Sequence, residues 1–286
     1  MRFEATEEQL LREAIATWGI SKRALTAIKF DGGTILVNGI EQNVRHRLVV
    51  GDVVTIIFPE EPVSEGLIPQ PEMLPIIFED ESLLIIEKPA YMSTIPSREH
   101  PHSSVANYLY GYFEKLQIAS TAHIVTRLDR DTSGLMIIAK HRHIHHLMSE
   151  QQKSGAVHRQ YEAIVHGEVK QSRSIIAPIG RKDTSIIERE VREDGQYAHT
   201  DVEVLHKTTD FSHVRLKLHT GRTHQIRVHM ASIGHPLVGD ELYGGDKSIM
   251  DRQALHCVNV TFDHPLTKEK LTFTSELPQQ MQNIIN

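Results

Sequence analysis

The chain holds a single cysteine, Cys257, among 286 residues, which excludes an internal disulfide and leaves no thiolate cluster for zinc. Its apolar neighbours in Leu255-His256-Cys257-Val258 point to a buried core residue. No run approaches the roughly 18 to 20 apolar residues that a membrane-crossing helix needs. The start, Met1-Arg2-Phe3-Glu4-Ala5-Thr6, lacks the apolar core of a signal peptide, so the expected location is the cytoplasm, with no membrane partner. A net charge of −6 gives no global electrostatic case for nucleic-acid binding, and any such site must be local. Glycine-rich phosphate loops, dinucleotide fingerprints and His-Glu-x-x-His are absent, as are internal repeats and low-complexity segments. There are 19 histidines, with His141, His143, His145 and His146 bunched together, but a metal site needs ligands on one face with carboxylate or thiolate support. No metal is expected.

The length favours one large domain plus a small module. Thr6-Glu7-Glu8-Gln9 has the spacing of a capping box, and Leu10, Leu11, Ala14 and Ile15 follow at helical intervals. A second helix is predicted from Ser21 to the stop at Asp31-Gly32-Gly33. Thr34-Ile35-Leu36-Val37 then reads as a strand entering the tight turn Asn38-Gly39, and Val53 to Phe58 as a last strand. Between Pro59 and Pro71, four prolines and three glutamates predict an extended, semi-rigid linker. The expected organisation is therefore a module over 1–58, a linker over 59–73 and a main domain over 74–286. In the last, strand-like runs dominate: Pro75 to Phe78, Leu83 to Ile86, Leu135 to Ala139, Gln160 to His166, Thr200 to Leu205, His213 to Leu218 and Leu255 to Phe262. Helices are predicted near Ser104 to Leu116, His143 to Gln152 and His224 to Ser232. This mixture predicts an α+β domain on a mostly antiparallel sheet, not a doubly wound parallel one.

Three segments are candidates for chemistry. In Arg127-Leu128-Asp129-Arg130-Asp131-Thr132-Ser133-Gly134, one carboxylate lies between two guanidinium groups just before an apolar strand. An aspartate with its ordinary pKa of about 3.9 is ionised at pH 7 and can attack an electrophilic carbon without an adjacent base. The bland alternative is a turn in which Asp131, Thr132 and Ser133 make local side-chain to backbone bonds. In Leu216-Lys217-Leu218-His219-Thr220-Gly221-Arg222-Thr223-His224-Gln225-Ile226-Arg227, a strand breaks at Thr220-Gly221 and Thr223 is placed to cap a helix. His224 and Arg227, three apart, then share the mouth of the strand-to-helix turn. In Gln160-Tyr161-Glu162-Ala163-Ile164-Val165, Tyr161 sits on the apolar face as a core residue or as a platform for a nucleobase. Basic residues gather around two of these segments: Arg127, Arg130, Lys140 and Arg142, then Arg215, Lys217, Arg222 and Arg227. A retaining glycosidase would need a second carboxyl group about 5 Å from the first, and Asp131 stays open as that partner.

Two resemblances bear on these residues. Residues 8 to 58, through Ile20-Ser21-Lys22-Arg23, Val37-Asn38-Gly39 and Leu48-Val49-Val50-Gly51-Asp52-Val53, resemble the alpha-L RNA-binding module of the ribosomal-protein-S-four type. That resemblance implies RNA contacts at Lys22, Arg23, Lys29, Arg45 and Arg47. The segments around Asp129, Tyr161 and Arg227, with Gly234-His235-Pro236-Leu237-Val238-Gly239-Asp240 and Tyr243-Gly244, resemble the RluA family of RNA pseudouridine synthases over roughly residues 74 to 278. The family implies Asp129 as the aspartate that attacks uridine at ribose C1′, Arg227 as its paired arginine, and Tyr161 as a stacking residue that relays the C5 proton. Arg127 would fill the space left by the flipped nucleotide, while Arg130, His224 and Arg222 are expected to contact substrate. No cofactor is implied, since isomerisation conserves every atom. RNA is the expected partner, ribosomal RNA before transfer RNA, acting on a monomer; a non-catalytic role in RNA binding or ribosome assembly is the alternative. Thr126, where many members carry His, and the segment Tyr91 to His102 depart from the family pattern.

Overall fold

A computed structural model describes residues 1–61, 66–97, 101–118 and 120–285. Parts of two sequence expectations, residues 62–65 of the linker and 98–100 of the divergent segment, lie outside the described residues.

The first 58 residues build a core of their own from Leu11, Ala14, Ile15, Ile28, Ile35, Val37, Leu48, Val54 and Ile56. Its antiparallel sheet runs in the order Arg2–Glu4, Val53–Ile57, Thr34–Val37, Ile40–Glu41. Asn38 and Gly39 both take positive φ, 51° and 83°, as a two-residue hairpin turn demands. Ser21 caps the helix Lys22–Phe30 by accepting the Ala24 N–H at 3.1 Å. The first helix differs from expectation. It spans Leu11–Thr17, because Gln9–Leu10 pairs as a short strand with Arg47–Leu48, and Glu13, not Thr6, supplies the capping oxygen to the Leu10 N–H. Strand pairing outcompetes the local capping signal here.

The larger part of the chain forms one sheet, mostly antiparallel as expected. Its order is Arg173–Ile176, His199–Lys207, Phe211–Leu218, His158–His166, Leu255–Asp263, Ser133–Ala139, Leu83–Lys88, Ile76–Glu79. Among the described residues the single parallel junction joins Ser133–Ala139 to Leu255–Asp263, and it lies at the centre of the sheet. Ser133–Ala139 is buried on both faces, which explains its unbroken apolar run. Helices Val105–Lys115, Arg142–Lys153 and Gln225–Ser232 flank the sheet close to their predicted positions. The strand Arg173–Ile176, the hairpin Ile179–Arg181 with Arg189–Val191, and the closing helix Gln279–Ile285 carry too little periodicity to have been predicted. The described part of the linker is pinned, not free. Gln70 lies so close over Gly111 that a Cβ there would meet the Gln70 carbonyl oxygen at 1.9 Å, and Asn107 Nδ2 donates to the Ile68 carbonyl at 2.8 Å.

Two buried histidines make folding pH-dependent. His143 stacks on Phe58, with ring centroids 5.4 Å apart, and neither ring nitrogen has a hydrogen-bond partner. Burial holds His143 and His256 down at about 4, against an ordinary value near 6.5. Between those pH values the unfolded chain binds protons that the native state refuses, so stability is retained above about pH 6.5 and falls as pH drops toward 4. His143→Phe, which keeps the stacked ring and removes the titration, is expected to raise the urea midpoint and to flatten its decline between pH 7 and pH 5. An unchanged slope would count against this assignment.

Candidate active site

The loop preceding Ser133–Ala139 is held by its own carbonyls. Thr94 Oγ1 donates to Leu128 O at 2.8 Å, the Thr132 N–H to Asp129 O at 3.1 Å, Lys88 Nζ to Arg130 O at 2.9 Å, and Arg252 Nη1 to Asp131 O at 3.2 Å. Four consecutive acceptors are thereby satisfied, and the backbone under Asp129 has one conformation. Lys88 is fully buried and donates also to Pro89 O and Met92 O. Burial pulls its ammonium down to about 7, opposed by Asp131 and Asp129, while three carbonyls call for the three donors that only the ammonium form supplies. Thr126, at the departure from the family pattern, is buried and accepts the Ile137 N–H at 2.9 Å, tying the loop's start to the strand.

Two of the turn residues, Thr132 and Ser133, bond outward and not to the local backbone as expected. Thr132 Oγ1 accepts from Gln253 at 3.2 Å, and Ser133 Oγ meets His256 Nδ1 at 2.8 Å. Asp131 takes a two-pronged contact from Arg130, at 2.8 and 3.1 Å, so Arg130 is not a partner of Asp129. Both Asp131 oxygens are thus taken up by Arg130, so its carboxyl group is not free to serve as the second carboxyl of a glycosidase.

Gly134 sets the row on which Tyr161 sits. It has φ 115° and pairs with Cys257, where an added Cβ would meet backbone atoms at 2.4 to 2.9 Å. Cys257 pairs in turn with Tyr161, because a bulge shifts the register between Gln160 and Tyr161. Bulges re-aim side chains, and this one turns the tyrosine toward the loop of Asp129. Tyr161 is 4% exposed, and burial raises its pKa, so it stays a neutral phenol. The same burial pushes the Cys257 thiol up to about 12, as suits an inert core residue.

Arg227 comes from the helix Gln225–Ser232 and is shared between two carboxylates. Its Nε and Nη2 donate to Asp240 Oδ2 and Oδ1, both at 2.7 Å, and its Nη1 to Asp129 Oδ2 at 3.3 Å. The Arg227 and Asp240 side chains are 9% and 1% exposed, whereas Asp129 at 30% opens into the cleft. The guanidinium carbon lies 4.9 Å from the Tyr243 ring centroid, a cation–π contact, and the carboxylates raise the already high Arg227 pKa against the cost of burial. Tyr243 Oη bonds His224 Nδ1 at 2.8 Å, which leaves His224 Nε2 facing Asp129 at 3.9 Å. Burial lowers the His224 pKa, so the imidazole is neutral near pH 7. His224, not Thr223, occupies the cap position, with φ 56° in the left-handed region where a side chain is strained. Gln225 relieves the turn by accepting from Thr220 Oγ1 and the Arg222 N–H.

Around this centre lies a cleft of about 660 Å³, lined by Arg127, Asp129, Arg130, Tyr161, Arg222, His224 and Arg227 among others. Thus seven of the predicted site residues converge. Arg127 is exposed, and Arg222 donates to Tyr197 O. Lys22, Arg23, Lys29, Arg45 and Arg47 do not reach the cleft; they are exposed on the N-terminal unit. Lys140, Arg142 and Arg215, adjacent in sequence to the motifs, pair instead with Glu79, Glu61 and Glu162. Asp240, Tyr243 and Lys88 were missed as site residues, although Asp240 and Tyr243 lie in the segments that carry the family resemblance; the demand of a buried guanidinium for a second carboxylate is the physical signal for Asp240.

Comparison with known proteins identifies the family. Residues 82–232 match the family described as RNA pseudouridylate synthase. The chain belongs to that family. A Bacillus subtilis (strain 168) relative described as uncharacterized RNA pseudouridine synthase YjbO is 50% identical, covering 96% of this chain and 98% of its own. The ribosomal large subunit pseudouridine synthase D of Pseudomonas aeruginosa is 35% identical over 97% of this chain and 91% of its own. Among solved structures, human RNA pseudouridylate synthase domain containing 1 superposes with a TM-score of 0.60 at 25% identity, covering 76% of this chain and 86% of that one. The enzyme's fold is thus that of RNA pseudouridine synthases, and no described helix is long and apolar enough to cross a membrane.

Asp240→Asn removes the partner of a buried charge, a change that costs about 3 kcal/mol or more. Urea unfolding at pH 7 is expected to show a loss of that size in the enzyme; a wild-type midpoint would contradict the pairing.

Proposed function

We propose that the enzyme converts uridine to pseudouridine in structured ribosomal RNA, with Asp129 as the nucleophile at ribose C1′. The observation that carries this reading is the asymmetric sharing of Arg227: Asp240 takes the two short bonds and Asp129 a single one at 3.3 Å. One Asp129 oxygen is thereby oriented while the carboxylate keeps its electron density for attack. Displacement of uracil from C1′ forms an ester to Asp129. The freed base, an anion at N1, turns and bonds through C5 to C1′ as the carboxylate leaves; C5 then gives up its proton and N1 gains one, so atoms and electrons balance without a redox partner.

A base can reach Asp129 only after leaving its stack, at a cost of a few kcal/mol that is smallest in loops and single strands. Tyr161 supports that step as an apolar platform beside the nucleophile, and its raised pKa keeps it from serving as a resting phenolate base. Arg127, exposed and lining the cleft, is read as the residue that fills the vacated position, and Arg130, Arg222 and His224, which also line it, as substrate contacts. Ribosomal RNA is favoured by the relative named for the ribosomal large subunit and by the exposed cations Lys22, Arg23, Lys29, Arg45 and Arg47 on the N-terminal unit, read as an alpha-L RNA-binding module.

Asp129→Asn is expected to lower pseudouridine formation by about 10⁴-fold or more while leaving RNA affinity within a few-fold of the parent. Mapping pseudouridine in ribosomal and transfer RNA from cells carrying either form checks both halves. Retained turnover would sink Asp129 as nucleophile, and a site lost from transfer RNA alone would overturn the ribosomal assignment.

A further inference from the structure

A second polar cluster stands outside the aspartate–arginine centre, where the strands His199–Lys207 and Phe211–Leu218 end side by side. His199 and Asp201 are two apart on one strand and project from the same face. His219 follows the neighbouring strand, and its N–H donates to the His199 carbonyl at 3.2 Å. The two imidazoles stack with centroids 4.1 Å apart and planes within 14°. Their Nε2 atoms reach different oxygens of one carboxylate: His199 lies 3.1 Å from Asp201 Oδ1, and His219 lies 2.6 Å from Oδ2.

Two imidazoles and a carboxylate form a donor set suited to a divalent transition ion, whereas Mg²⁺ prefers oxygen alone. The three ligand atoms lie within 4.8 Å of one another, and the two imidazole nitrogens already sit 3.1 and 2.6 Å from the carboxylate oxygens. Donors of a tetrahedral site with bonds near 2.0 Å stand about 3.3 Å apart, so an ion enters by spreading these contacts. Each ring needs only to carry its proton on Nδ1 to offer an Nε2 lone pair. The frame is already rigid: the His199 N–H donates to Thr220 Oγ1 at 3.0 Å, Gln225 Nε2 donates to the His199 carbonyl at 3.0 Å, and Ser174 Oγ donates to Asp201 Oδ1 at 2.5 Å. Entry is open, since the His199, Asp201 and His219 side chains are 20%, 40% and 36% exposed.

We propose that His199, Asp201 and His219 bind one divalent transition ion of the Zn²⁺ class, with a fourth position open to solvent. The ion joins two strand ends at the root of the Thr220-Gly221-Arg222 turn, which leads into the helix of Arg227. His219 also lines the cleft, so the open position lies at its rim. The site acts by fixing that turn and takes no part in the isomerisation.

Calorimetric titration of ZnCl₂ into the full-length, untagged, EDTA-stripped chain tests this directly. One equivalent is expected to bind in the micromolar range or tighter, with His219→Ala and Asp201→Asn each weakening binding by at least about tenfold. No saturable binding, or unchanged affinity in both variants, would overturn the proposal. Co²⁺ titrated into the unsubstituted chain keeps the test decisive should a variant unfold: a saturable four-coordinate d–d absorption band supports the site, and its absence refutes it.

Discussion

The bond from Arg227 to Asp240 is the interaction on which the site depends. Burying a guanidinium is expensive, and a buried ion pair seldom returns more than its desolvation cost, so its value here is geometric. With two of its donors committed to Asp240, the planar fork presents its remaining edge in one direction, and Asp129 stands there. Tyr243 holds the guanidinium from its face and passes the constraint to His224, whose left-handed backbone conformation persists because the surrounding bonds determine it. A carboxylate at the mouth of a cleft is thus oriented by a charge that solvent scarcely reaches.

The other half of the constraint is the backbone beneath Asp129. Four successive carbonyls from Leu128 to Asp131 are bonded, that of Asp129 to Thr132 within the turn and the others to Thr94, Lys88 and Arg252 from distant parts of the chain. Beyond that loop the strand enters the parallel junction with Leu255–Asp263, where Gly134 permits a close approach to Cys257 that a side chain would forbid. The bulge in the next pairing then brings Tyr161 into the same row. Loop, junction and bulge, with the helix that carries Arg227, bring a carboxylate, a tyrosine and an arginine from three distant segments around one volume.

Much of this was legible in the sequence. Alternating and continuous apolar runs marked the central strands, and a carboxylate set between two arginines marked Asp129, whereas Arg227 stood out only through the resemblance to the pseudouridine synthase family. The remainder was hidden because it depends on tertiary contacts. Arg130 beside Asp129 suggested a flanking pair, yet its side chain forks onto Asp131, its immediate neighbour. Thr6 signalled a cap, but pairing of Gln9–Leu10 with Arg47–Leu48 delays the helix. Asp201 looked like an ordinary strand residue until the sheet brought His199 and His219 onto its carboxylate. Lys88 carries no pattern of its own, and its role appears only when three carbonyls converge on it.

Single-turnover kinetics of Arg227→Lys test the central claim most directly. Lysine keeps the positive charge and loses the planar fork. If orientation of Asp129 by that fork is what matters, the rate constant for pseudouridine formation falls by about 100-fold or more while RNA affinity stays within a few-fold and the protein remains folded. A wild-type rate in that variant would show that charge alone suffices and would contradict the account.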